Sequence, residues 1–237
     1  MPIGCAKAAM MSGAAGGDPF WPYVVFLFQP KSEHLSFLDL SASGHTISTT
    51  NSPTLSSTAP FPGHKSGLFV AASSQYAEMA DSPDWDFSSH FTVEVLARQV
   101  SITPATNNDN NILGRQSVHW CNIWIDDSKA ASYFKGAAVK GGTTVGTGTW
   151  DHWVAERFGT TTKLWFNQNL AGANLEVTST SDNTGYLGGN NPLHMCRNWS
   201  ATGYGDSYIA AVRITNGAAR YGGGTPPTPT EPFPAKG

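Results

Sequence analysis

An all-β, antiparallel two-sheet sandwich of jelly-roll type is the fold class this sequence predicts, and three observations carry the prediction. Short apolar runs of strand length recur at close intervals between turn-rich segments. Charged residues make up only 13 % of the 237 residues, against about a quarter in an ordinary globular chain, while Gly, Ser, Thr, Asn and aromatics are plentiful. No stretch of about ten residues or more has an uninterrupted amphipathic helical pattern; the nearest, "SQYAEMADSPDW", is cut by Pro83.

Taken in order, residues 1–17 are mostly Gly, Ala, Met and Ser without a period of 3.6 or 2, and read as an N-terminal arm. The jelly roll is assigned to 18–221. It opens with Val24 to Phe28, a continuous apolar run between Pro22 and Pro30. "SASGHTISTTNSPTLSSTAPFPGHKSG" has the composition of an extended, exposed connection. In "FTVEVLAR", Phe91, Val93, Val95 and Ala97 fall on one face and Thr92, Glu94, Leu96 and Arg98 on the other, which predicts a half-buried strand.

"HWVAER" and "KLWFN" flank "FGTTT", a loop of hairpin length, and "NQNLAG" allows a second turn, so this region is expected to be a meander. Trp150 and Trp153 lie on opposite sides of the first of these strands, with Trp153 expected to face inward along with Ala155. Ile209, Val212 and Ile214 mark a last buried strand, interrupted by Ala210 and Ala211. Three glycines then lead into residues 222–237, a proline-rich tail. It suits polyproline II, a backbone that needs no ladder partner.

The formal net charge of −3 and the lack of any basic cluster interleaved with aromatics argue against a nucleic-acid partner. No apolar run approaches the roughly 20 residues needed to span a bilayer, so no membrane partner is expected. The opening "MPIGCAKAAMMSGAAGG" lacks the basic and leucine-rich regions of a secretory signal, which fits a protein made in the cytoplasm. Cys5, Cys121 and Cys196 cannot all pair within one chain and contain no CxxC, so they read as reduced thiols.

Hydrolysis of a glycosidic bond needs two carboxylates about 5–5.5 Å apart on one cleft face. Here Glu94 and Glu156 are single acids on their strands, and Asp126 and Asp127 fall on opposite faces. No nucleophile elbow or phosphate loop is present. A non-enzyme without a cofactor is expected. Asp81, Asp84 and Asp86 of "DSPDWDF" read as turn-forming acids rather than a calcium loop. "HWC" at 119–121 and "HMC" at 194–196 would each present an imidazole and a thiol on one face of a strand, making His119, Cys121, His194 and Cys196 a zinc candidate; the bland reading, buried strands and no metal, is the expectation. For sugar recognition the loops "LGGNNP" and "CRNWSATGYGDSY" offer Asn190, Asn191, Asn198, Trp199, Tyr204 and Asp206. Aromatic rings stack on pyranose faces while amides and carboxylates bond hydroxyls.

Three segments carry a resemblance: "LFVAASSQYAEMADSPDWDFSSHFTVEVLAR", "GTWDHWVAERFGTTTKLWFNQNLAG", which matches residue for residue without a gap, and "YIAAVRITNGAARYGGGTPPTPTEPFP". Together they resemble the laminin-G-like, concanavalin-A-like jelly rolls of bacteriophage tail and other virion proteins, over roughly residues 18 to 234. The resemblance implies a non-enzymatic structural component of a phage particle, located in the virion. Its partners would be other virion proteins and further copies of itself. The alternative it leaves open is a carbohydrate-binding adhesion module that meets a host surface glycan. Where that family has Asp-Glu after Tyr-Ile this chain has Ala210-Ala211, and its Asp-Gly turn is Asn167-Gln168, so the carboxylates of a family-type calcium site are missing.

Overall fold

The structure is a computed structural model and describes residues 17–87, 89–102, 110–115, 122–126, 128–134, 137–159, 161–167, 177–179, 191–198 and 202–234. The arm up to residue 16 lies outside the described residues, as do Cys5, His119, Cys121, Asn190 and Trp199. The described strands are β1 (Val24–Phe28), β2 (Ile47–Thr50), β3 (Thr54–Ser56), β4 (Ser66–Phe69), β5 (Tyr76–Met79), β6 (Phe91–Gln99), β7 (Asn110–Arg115), β8 (Asn122–Asp126), β9 (Lys129–Phe134), β10 (Ala137–Thr144), β11 (Trp150–Phe158), β12 (Thr161–Phe166), β13 (Val177–Ser179), β14 (Leu193–Met195) and β15 (Ser207–Asn216).

They form two antiparallel sheets. The first runs β13–β12–β11–β6–β15–β4–β3, with β1 also on β15; the second runs β10–β9–β8–β7–β14–β5–β2. Alternation along each strand sends one set of side chains into the space between the sheets, where Phe26, Phe69, Val95, Trp153 and Val212 meet Met79, Ile112, Ile123 and Met195. The fold is thus the expected jelly-roll sandwich. The hairpin β11–β12 pairs Trp153 with Phe166 and Phe158 with Thr161, and β13 adds to β12, as the meander expectation required.

One local expectation needs correcting. The Ser/Thr/Pro-rich stretch read as a connection contains β2 and β3, the outer strands of the two sheets. One apolar residue in each, Ile47 and Leu55, packs on the core, and the polar remainder suits an edge. "SQYAEM" holds β5, in which Ala77 and Met79 are buried and Tyr76 and Glu78 half-buried, a period of 2 rather than 3.6. Pro83–Trp85 is a single 3-10 turn capped by the Ser82 side chain.

The half-buried expectation for β6 also fails, for a reason that shapes the whole molecule. Its inner face is as expected, but Thr92, Glu94 and Leu96 on the other face are also buried. Leu96 joins a second apolar layer on that face with Val24, Leu27, Ala210, Ala211 and Phe233, with Trp21 and Trp150 at its margin. The proline-rich tail and the segment before β1 thus lie over the outside of the first sheet.

That layer accounts for the paired alanines. β15 is long enough to serve two partners along one edge, first β4 through Ser207–Ile209, then β1 through Val212–Thr215. At the handover the register against β6 shifts between Ile209 and Ala211, a bulge. A bulge sets two successive residues on one side and restores the inward phase for Val212 and Ile214. Ala210 and Ala211 therefore both face the tail, and their small side chains let Phe233 lie close.

Candidate functional site

The outer face of the first sheet is where the acids gather. β6 pairs Glu94 with Val154 and Thr92 with Glu156 of β11, so Glu94 and Glu156 are diagonal neighbours on one face. This juxtaposition of two acids from different strands is not readable from either strand alone. Neither acid is open. Arg213 holds Glu94 through Nε at 2.7 Å and Nη2 at 2.6 Å, the Tyr221 hydroxyl donates to its other oxygen, and His152 Nε2 stands 3.5 Å away. Glu156 accepts from Thr92 Oγ1 at 2.8 Å and from the backbone amides of Tyr221 at 2.9 Å and Gly223 at 2.8 Å. Arg220 completes the cluster with a two-bond clamp on Asp18, its guanidinium 5.1 Å from the Phe20 ring.

Burial pushes Glu94 up, but the Arg213 guanidinium, helped by His152 and Arg220, overrides it and holds the carboxyl well below the usual range. Glu156 is pushed up by burial, against the bonds from Tyr221, Gly223 and Thr92. The two carboxylates thus fasten the tail to the sheet and have no approach for a substrate.

Asp151 on the same strand is different. Burial pushes it up to about 6, against bonds from the Asn167 and Thr149 side chains. Asn167, at φ 41 directly after β12, also accepts from the His152 amide at 2.7 Å through its side chain and returns its own amide to the His152 carbonyl at 3.0 Å. Folding raises the affinity of Asp151 for its proton. The group therefore favours the folded state below its unfolded value of 3.8 and loses that contribution as pH rises through about 6. Asp151→Asn should raise stability at pH 7 by about 1–3 kcal/mol, with the gain shrinking towards zero near pH 4. Denaturant midpoints at the two pH values check it.

The "DSPDWDF" acids have a structural partner. Arg115, at the end of β7, is fully buried and donates to Asp81 Oδ1 at 2.5 Å, Asp86 Oδ1 at 2.8 Å, and the carbonyls of Trp85 at 3.2 Å and Asn191 at 3.0 Å. Asp84 is 2.9 Å from His45 Nε2. A guanidinium fills the place a cation would take. Among the described residues no three of His, Cys, Asp or Glu are grouped to hold a metal. EDTA is expected to leave the melting temperature unchanged, as a calorimetric scan with and without chelator would show.

The shared face expected for His194 and Cys196 is not found. His194 lies on the outside of β14, its Nε2 2.9 Å from Glu78 Oε2, whereas Cys196 packs in the core. The cause is backbone: Cys196 has φ 62, which ends the alternation one residue after β14. Burial raises the Cys196 thiol and lowers the His194 imidazole from their ordinary values. His119 and Cys121 lie outside the described residues.

Of the sugar-binding candidates, Asn191 gives its carbonyl to Arg115. Asn198 Oδ1 accepts from the Thr202 amide at 2.8 Å. Asp206 accepts from Ser101 Oγ at 2.6 Å. Tyr204 is placed differently. It bridges back to Arg197 and its ring lies 6.2 Å from that of Tyr76 on β5. Gly205 beside it permits the return, because a Cβ there would sit 2.1 Å from the Asn111 carbonyl oxygen.

Tyr76 is the hub of an aromatic and polar cluster outside the second sheet. The Arg197 guanidinium lies 4.3 Å from its ring centroid, and the His194 ring meets it edge-on at 5.6 Å. Glu78, on the same face as Tyr76, bonds His194 and stands 3.7 Å from Arg197. Tyr76, Glu78, Arg197 and Tyr204 are each partly open to solvent. Half-exposed rings with a carboxylate and a guanidinium close by are the chemistry of a site that stacks on a ring and bonds its hydroxyls. Sequence reasoning missed Tyr76 and Glu78; their i, i+2 spacing in "YAEM" was the available signal.

No protein-family model matches the sequence, and no curated protein matches it. Solved structures do match its fold. The binding domain of Paraclostridial Mosquitocidal Protein 1 is 13 % identical with a TM-score of 0.60, over 85 % of this chain and 51 % of that one. Domain 4 of a GH43 extracellular arabinanase from Geobacillus stearothermophilus, solved in complex with arabinotriose, is 15 % identical with a TM-score of 0.56, over 84 % of this chain and 94 % of that one. The binding domain of botulinum neurotoxin DC in complex with SialylT is 9 % identical with a TM-score of 0.55, over 83 % and 48 %. This chain spans about half the length of the toxin domains. What the chain shares with these domains is the β-sandwich; at these identities the likeness is one of fold.

Proposed function

We propose that this chain is a non-catalytic carbohydrate-binding module whose contact surface is the outer face of the second sheet, around Tyr76, Glu78, Arg197 and Tyr204. The observation that carries the reading is the contrast between the two faces. The tail and the segment before β1 cover the first sheet, whereas this aromatic cluster stays partly open on the second. The complexes with arabinotriose and SialylT seen in proteins of the same fold support it. Among the described candidates, Asn191, Asn198 and Asp206 lie close in sequence to Arg197 and Tyr204 and would help define which sugar is held. A glycan array probed with the full chain tests the reading: selective signals support it, and an array silent for folded protein contradicts it.

A second reading places the module in a phage particle as a structural component in contact with other virion proteins. The closing segment supports it: "YIAAVRITNGAARYGGGTPPTPTEPFP" resembles the phage-type pattern, and its tail is built into the fold through Glu156, Gln29 and Arg213. The two readings are compatible in an adhesion protein of the virion.

A further inference from the structure

We infer that the slot holding Phe233 also accepts the Phe233 segment of a second copy, so that copies of this chain join by exchanging tails. The slot is chemically complete in itself. The Gln29 carboxamide makes two bonds to the main chain of Phe233, Nε2 to the carbonyl at 3.0 Å and the amide to Oε1 at 2.8 Å, as a strand partner would. The Arg213 guanidinium stacks 4.1 Å from the ring. Leu96, Ala210 and Ala211 supply an apolar floor. Each of these contacts is made to residue 233 alone, and an identical segment from a neighbour satisfies all of them.

The path to the slot suits exchange. The tail is fastened first at Tyr221 and Gly223, whose amides bond Glu156 and whose Gly223 carbonyl accepts from Lys163 Nζ at 2.9 Å. Gly222 and Gly223, at φ 57 and 75, occupy a backbone region that other residues enter reluctantly, and changing them re-aims the tail. From Gly224 to Pro232 Pro226 is buried, Pro229 and Pro232 are half-buried and the rest are exposed. Four of those nine residues are proline. Such a connector is semi-rigid and, at about 3.1 Å per residue, spans roughly 28 Å. That reach extends to an adjacent molecule as readily as back across its own sheet.

Exchange conserves the contacts, so local concentration decides between the closed and exchanged forms. A tethered segment has an effective concentration on the order of 1 mM. Dilute protein therefore stays closed, while copies crowded together or held side by side exchange. Benzoylphenylalanine in place of exposed Pro234, in a mixture of 15N-labelled and unlabelled full chains at about 1 mM, reads this out on irradiation. The expected result is heavy–light cross-links from 234 to β1 or β15, with dimers in light scattering that vanish in Phe233→Ala. Cross-links that are all heavy–heavy or light–light would overturn the inference. So would dimers that persist in a folded Phe233→Ala.

Discussion

Trp153→Ala will lower the free energy of unfolding by about 3–5 kcal/mol. Trp153 is fully buried in β11 and pairs with Val95 on one side and Phe166 on the other. Its ring meets Phe166 at 4.6 Å in an edge-on contact. Both sheets close over it, so the void left by alanine cannot collapse without moving strands. Trp153→Phe will cost less, because it keeps most of the volume and removes an indole N–H that has no acceptor among the described residues. Denaturant midpoints for both variants check the ordering; an unchanged midpoint for alanine would place the side chain elsewhere.

The other large effect is expected at Arg115. Arg115→Met removes a cation that neutralises Asp81 and Asp86 and bonds two carbonyls, and breaking a buried pair from one side costs about 3–5 kcal/mol. Combining it with Asp86→Asn should recover part of the loss, because one stranded carboxylate is then neutral. Full additivity of the two changes would mean the groups do not act on each other. Because Arg115 also bonds Asn191, this pin sets the start of β14 and hence His194 beneath Tyr76.

The parts of the fold that follow from local alternation were legible. β6, β11 and β12 could be drawn from Phe91, Val93, Val95 and from the spacing of Trp153 and Ala155. The failures have one physical origin, since each depends on what packs against a strand from far along the chain. Thr92 and Glu94 look solvent-facing until the tail, more than a hundred residues later, covers them. β2 and β3 look like linker because an edge strand needs one apolar residue rather than a pattern. At the site, Tyr204 was legible as an exposed loop aromatic, but its partners were not. Tyr76 lay in a segment noted only for an interrupted helical pattern, and Arg197 stood in the loop read for sugar but was not itself picked out. The positive φ at Cys196 separates His194 from the thiol it was paired with.

Whether the outer face of the second sheet holds a saccharide is decided by titrating a saccharide found on the array against the wild-type chain and against Tyr76→Ala and Tyr204→Ala by calorimetry. Each variant is expected to keep its fold by near-ultraviolet circular dichroism and to lose binding at least tenfold, about 1.4 kcal/mol, because a stacking ring is removed. Wild-type affinity in both folded variants would contradict it and move the site away from this face.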